Sequence, residues 1–262
     1  MAEPETDISL RAAQVAADIT EEDRPQERRR LVRAFTKAAS SGASVAGRGT
    51  RAVRSGAGAG TSYLVTQVIA MAPRLRVRNQ AALKAQFPGK SSDEIADALI
   101  QGAARASAAA GGTAGMVFVL PVLPAFPAEV VAETLVVVGI EIKLVAELHE
   151  AYGTPAPGRL PERMSAYVAA WAHRRGASPV PGGVIFAAGS PLTRLLRRRL
   201  AARAGRSAFS LGPLLTGAAA GALLNGRETR KLGHYVRDDL RSRALSGPGE
   251  PAKDKPPILP SR

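Results

Sequence analysis

Between Pro127 and Gly153 the chain carries Glu129, Glu133, Glu141, Lys143, Glu147, His149 and Glu150 in a stretch otherwise built mainly of Val, Leu, Ile and Ala. Carboxylates, an amine and an imidazole in one apolar run are the raw material of three things: a metal centre, acid–base catalysis, or counter-charge for arginines elsewhere. Spacing decides among them. On a helix turning about 100° per residue, with Glu129 at zero, Glu133 lies at about 40°, Lys143 at about 320°, Glu147 at about 0° and Glu150 at about 300°. These five share a face, whereas Glu141, at about 120°, stands alone on an apolar side. A carboxylate-bridged di-iron site draws Glu-x-x-His from two helices. Here the sequence is Glu147-Leu148-His149, and His173 and His234 lie among arginines without that motif. No metal or other cofactor is expected. The charges are read as structural: Glu129 stabilises the helix start, Glu133, Glu147 and Glu150 pair with Lys143 or with arginines of the cationic blocks, and Glu141 is a buried acid that needs a partner.

Other catalytic signatures fail on their own spacing. "PGKSS" at 88–92 resembles the end of a phosphate-binding loop, but the first glycine of that motif would fall on Lys84. "GASVA" at 42–46 lacks the second glycine of a nucleophile elbow, and "GAGAGT" has Thr61 where a dinucleotide fingerprint has glycine. The chain has no cysteine, which excludes disulfides, thiolate nucleophiles and cysteine-ligated zinc. An enzyme acting through Glu133, Glu141 or His149 is the third-ranked reading, and the expected character is non-enzymatic.

The elements that must position these residues are helices. Ser91 with Glu94 forms a capping box ahead of an apolar-periodic run that Gly111 is expected to close. Pro127 opens the next helix and Gly153 ends it, and Pro161 to Gly176 and Pro191 to Gly205 repeat that punctuation. "RETRKLGHYVRDDLRSRAL" reads as an amphipathic helix with Leu232, Tyr235, Val236, Leu240 and Leu245 on one side. The fold class is all-α, a multi-helix bundle with Gly/Ala-rich apolar helices. Its predicted organisation is an acidic N-terminal arm (1–27), a helical domain (28–246) and a Pro-rich flexible tail (247–262), both ends dispensable for folding. The acidic start "MAEPETD" has no apolar h-region, so a cytoplasmic, membrane-associated location is expected.

The net charge of +14 is unevenly distributed. Residues 28–90 hold 13 basic and no acidic side chains, and 157–237 hold 14 basic and 2 acidic, whereas 1–27 and 91–156 each carry 2 basic and 8 acidic. Four uncharged stretches, 55–73, 106–128, 176–193 and 207–226, approach the ~20 residues a membrane span needs, but they are built of small residues and interrupted by prolines. Three contain Gly-x-x-x-Gly, which lets helix backbones approach closely. Arginines flank these stretches. Arg48, Arg51 and Arg54 precede 55–73 and Arg74, Arg76 and Arg78 follow it, while Arg194, Arg197, Arg198, Arg199, Arg203 and Arg206 precede 207–226. Charge beside apolarity predicts peripheral binding to an anionic membrane surface. Nucleic-acid binding through the Arg-rich helices, best seen in "RLLRRRLAARAGR", is the alternative, disfavoured because no aromatic residues interleave the basic ones.

"LPAFPAEVVAETLVVVGIEIKLVAELHEAYG", followed much later by "TGAAAGALLNGRETRKLGHYVRDDLR", resembles the EcsC family of bacterial proteins over roughly 60–245. The shared features are a long apolar helix ending in Tyr152-Gly153, a Gly-rich apolar segment with an Asn, and a terminal charged helix. The chain departs from that pattern in its three closely spaced prolines and its acidic N-terminus. The resemblance implies a helical, membrane-associated protein with a transporter or other membrane protein as partner, and it brings no catalytic residues.

Overall fold

A computed structural model of the chain describes residues 4–21, 24, 26–31, 57–117, 126–175 and 216–246. All regular structure in them is helical, with no strand among the described residues. In chain order the elements are α1 (Pro4–Glu21), α2 (Ala57–Met71), a 3₁₀ turn (Ala72–Arg74), α3 (Gln80–Gln86), α4 (Ser92–Val117), α5 (Phe126–Ala151), α6 (Leu160–Arg174) and α7 (Thr216–Ser246).

Local chemistry sets several of the helix ends. Ser91 and Glu94 form a reciprocal capping box: the Ser91 N–H and Oγ donate to Glu94 Oε2 at 2.9 and 2.8 Å, and the Glu94 N–H donates to Ser91 Oγ at 3.3 Å. These bonds hold the Glu94 carboxyl below the usual carboxylate range. Asn79 caps α3 by accepting the Ala82 N–H at 2.8 Å. α5 ends in a Schellman motif, with the Gly153 N–H on Glu150 O at 3.0 Å and the Thr154 N–H on His149 O at 2.9 Å. Gly153 sits at φ +67°, the left-handed geometry that favours glycine. One expected end is absent: α4 continues through Gly111 to Val117, because packing can hold a glycine in a helix interior against a local cost of about 1 kcal/mol.

α5 is the central helix. Every residue from Ala132 to Leu148 is buried, and α1, α2, α3, α4, α6 and α7 all touch it. A helix buried on all sides has no solvent face, so its carboxylates must find partners within the protein. The most extensive packing is between α4 and α7, which run antiparallel, as the pairs Asp93–Arg241 and Asp97–Arg237 and the contact of Gly226 with Ala108 show. α7 buries Gly226, Thr229, Leu232, Gly233, Val236 and Leu240, a heptad-like stripe. Two glycines make that approach close. A Cβ on Gly226 would lie 3.1 Å from Ala104 O, and one on Gly233 would lie 2.6 Å from Ile100 Cγ1. Tyr235, expected on the buried side, is partly exposed and stacks under Arg174, 4.7 Å from its guanidinium carbon.

The N-terminus departs from expectation. Residues 4–21 are not an arm: they form α1, which packs on α5, α2 and α4 with Ala12, Ala13, Ala16, Ala17 and Ile19 buried. The physical reason is a narrow stripe of small side chains. Ala16 sits where a Cβ on Gly139 of α5 would be only 3.0 Å away, so the two helices meet almost backbone to backbone. Acidic groups such as Glu21 fall on the rim, where Glu21 lies 3.5 Å from Lys143 Nζ. The Pro-rich tail, 247–262, lies outside the described residues.

Candidate functional site

α5 places its charges so that several tie neighbouring segments to the centre. Glu147, on the last buried turns, receives Arg78 Nε at 2.8 Å on Oε1 and Arg78 Nη2 at 2.6 Å on Oε2, a bidentate fork. The Arg78 backbone N–H adds a third bond at 3.1 Å. Lys143, one turn earlier, donates to the same Oε1 at 2.5 Å and to Arg76 O at 2.6 Å. Burial pushes the Glu147 carboxyl up, but Arg78 and Lys143 outweigh it and hold the group below the usual carboxylate range. Arg78, pushed down by burial, is raised above its ordinary value by the Glu147 bonds.

Glu141 is fully buried on the other side of α5 and joins three helices. Trp171 Nε1 of α6 donates to Oε2 at 2.7 Å, Thr229 Oγ1 of α7 donates to Oε1 at 3.2 Å, and Arg175 Nη2, just past α6, also bonds Oε1. Arg175 reaches on to Glu228 Oε2 and Glu228 O, both at 3.2 Å. Glu133 accepts from Asn225 Nδ2 of α7 at 3.2 Å, and Glu150 pairs with Arg163 of α6. His149 bonds Thr154 O through Nδ1 at 3.1 Å, and burial lowers its pKa, favouring the neutral ring. The tyrosine that follows is engaged too: Tyr152 donates to Asp93 of α4, and burial and that bond raise its pKa.

These groups are committed to the fold. Glu141 and Glu147 present their oxygens to donors of the protein itself, the counter-charge role in which a buried carboxylate is stabilised. Among the described residues no cluster of three or more His, Asp or Glu could hold a metal ion.

The arginines named from sequence divide into three groups. Arg78 is consumed by Glu147, and Arg74 turns inward to Ser9 Oγ at 2.6 Å and Ala70 O at 2.8 Å. Both were expected to meet a polyanion; in the fold Arg78 meets an internal carboxylate and Arg74 a hydroxyl and a carbonyl. Arg76 keeps an exposed side chain while its carbonyl holds Lys143. Arg48, Arg51, Arg54, Arg194, Arg197, Arg198, Arg199, Arg203 and Arg206 lie outside the described residues.

The basic residues that follow the uncharged stretch 207–226, Arg227, Arg230 and Lys231, were legible in the sequence; the leucines beside them, on the first turns of the terminal helix, were passed over. Leu223 is 73% exposed and Leu224 39% exposed, and Arg227 and Arg230 follow on exposed positions. At about 100° per residue, Leu223, Arg227, Arg230 and His234 fall within about 60° of one another on one outer face. The signal was present as "LLNGRETRKLGH", but only the fold shows that Leu223 and Leu224 are left uncovered while Leu232 is fully buried. No helix of the described residues is long and apolar enough to cross a membrane. No protein-family model, curated protein or solved structure matches the chain.

Proposed function

We propose that the protein is a non-enzymatic helical protein that associates peripherally with anionic membrane, on its cytoplasmic face. The observation that carries this reading is the outer face of α7, where exposed Leu223 and Leu224 border exposed Arg227 and Arg230. Leucines set beside arginines match the two layers of a membrane surface, acyl chains below and phosphates above. Nucleic acid offers phosphates without an apolar layer, so exposed leucines favour lipid over the nucleic-acid alternative. Each basic side chain near an anionic surface contributes about 1 kcal/mol, a scale at which a handful give reversible attachment. The EcsC-like pattern supports the same reading and extends it to a membrane-protein partner, such as a transporter.

Co-flotation of the full chain with vesicles tests this. Binding to phosphatidylglycerol vesicles is expected, with weak affinity for phosphatidylcholine vesicles and loss of binding as salt rises. Leu223→Ser with Leu224→Ser should reduce vesicle binding without altering the far-UV circular dichroism. Equal partitioning to neutral and anionic vesicles, or complete displacement by duplex or single-stranded DNA, would overturn the membrane reading.

A further inference from the structure

The seam between α4 and α7 is a ladder of charges whose character changes along its length. On α4, Asp93, Asp97, Gln101 and Arg105 recur every four residues and so stack along one face. At one end, Arg241 Nε faces Asp93 at 3.6 Å, and Arg237 Nη1 binds Asp97 at 2.5 Å. One turn on, α4 offers Gln101 and then Arg105, and α7 offers His234 and then Arg230. The acids stop and the cations continue.

There the two helices leave a cavity of about 290 Å³ lined by Asp97, Gln101, Arg105, Arg230 and His234. Asp97 is already bound by Arg237. Among the described residues Arg105 spends only its Nε, on Gln101 O at 3.3 Å. Among the described residues Arg230 has no hydrogen-bond or ion-pair partner and the buried His234 Nδ1 has no hydrogen bond. Two guanidiniums lining one groove repel each other, and a buried imidazole nitrogen without a partner costs free energy. A bound anion relieves the repulsion and, with the proton on Nδ1, accepts its hydrogen bond.

We infer that this groove is a binding site for a phosphate monoester, supplied by a lipid headgroup. The inference rests on the proposed membrane association for its source of ligand, since Arg230 stands one turn from Arg227 and two from Leu223 on the same face. Arginine forks engage phosphate oxygens bidentately, and Arg105, Arg230 and His234 together match the three terminal oxygens of a monoester better than the two of a diester. The site therefore distinguishes phosphatidic acid from phosphatidylglycerol, whereas Arg227 and the leucines do not.

The test compares vesicles of phosphatidic acid and of phosphatidylglycerol matched in surface potential, with glycerol 3-phosphate titrated separately by calorimetry. The full chain should bind the phosphatidic acid vesicles at least about tenfold more tightly, the scale of one charge-assisted hydrogen bond. Arg105→Ala with Arg230→Ala, both on exposed helix positions, should abolish that preference and leave a residual affinity for both vesicles. Arg227→Ala should weaken both equally. Equal affinity of the unaltered chain for the two vesicles, or an unchanged preference in the Arg105/Arg230 double variant, overturns the groove while leaving the membrane reading in place. Binding of glycerol 3-phosphate that depends on Arg105 and Arg230, with no vesicle binding, keeps the groove and overturns the membrane reading. Failure of both probes overturns both.

Discussion

Replacing Arg175 by Met should destabilise the protein more than replacing the acid it serves. Glu141 is fully buried, and the Arg175 side chain is only 7% exposed. Arg175→Met removes a cation paired with Glu141 and leaves a buried carboxylate beside neutral donors that include Trp171 Nε1 and Thr229 Oγ1. Stranding a buried charge in this way costs about 3–5 kcal/mol. The remaining donors place the expected loss at the lower end, about 3 kcal/mol. Glu141→Gln is the milder change. Its carbonyl oxygen still accepts from a neighbouring donor, and Arg175 is not stranded, because Glu228 Oε2 and O remain 3.2 Å away. That variant should lose about 1–2 kcal/mol. The double variant, with neither member of this pair charged, should recover part of the loss of Arg175→Met. Urea unfolding followed by Trp171 fluorescence measures these differences, and with a slope of about 2 kcal/mol/M a 3 kcal/mol loss shifts the midpoint by about 1.5 M. A midpoint for Arg175→Met within about 0.3 M of the parent, or a double variant less stable than both singles combined, would refute the argument.

Acid sensitivity follows from the two perturbed groups at the end of α5. Glu147 is held below its ordinary value of 4.5, so its contribution is complete above that pH and is lost as pH falls through the depressed folded value. His149 is likewise depressed from 6.5, so stability should begin to fall already below pH 6.5, and His149→Gln should flatten that part of an unfolding-midpoint-versus-pH curve. Gly233→Ala should destabilise by about 1–2 kcal/mol despite better helix propensity, since its Cβ would lie 2.6 Å from Ile100 Cγ1. Gly102→Ala, whose Cβ meets only Thr20 O at 3.7 Å, should stabilise by up to about 1 kcal/mol, and thermal unfolding of the pair checks both signs. A chain lacking residues 1–27 should lose cooperative unfolding and bind hydrophobic dyes, because it uncovers the α5 face under Ala16 and Ile19; a sharp urea transition in that chain would contradict the assignment of α1 to the core.

What the sequence determined by itself was local. The Ser91–Glu94 box, Gly153 after α5, Pro161 in the first turn of α6 and the 3.6-residue periodicity of Met164, Tyr167, Val168, Trp171 and Ala172 all depend on groups within a few residues of one another, so they are legible without the fold. The same holds for the one-sided placement of Glu133, Lys143 and Glu147 on α5, which is helix geometry alone. Tertiary structure decided which charges meet. Arg78 and Glu147 lie 69 residues apart, and Trp171 and Glu141 lie 30 apart. No spacing rule joins residues whose proximity arises only when helices pack. That is why Arg78 looked free from sequence and is not. Net charge misled at α1, because it averages over a helix whose small-residue stripe, Ala12, Ala13, Ala16 and Ile19, is what the core sees. And the groove of Arg105, Arg230 and His234 exists only because α4 and α7 run antiparallel in a register that pairs acids with bases at one end and leaves cations facing cations at the other. Register between two distant helices is set by the fit of Gly226 and Gly233 against Ala104, Ala108 and Ile100, a property of packed surfaces that no single segment carries.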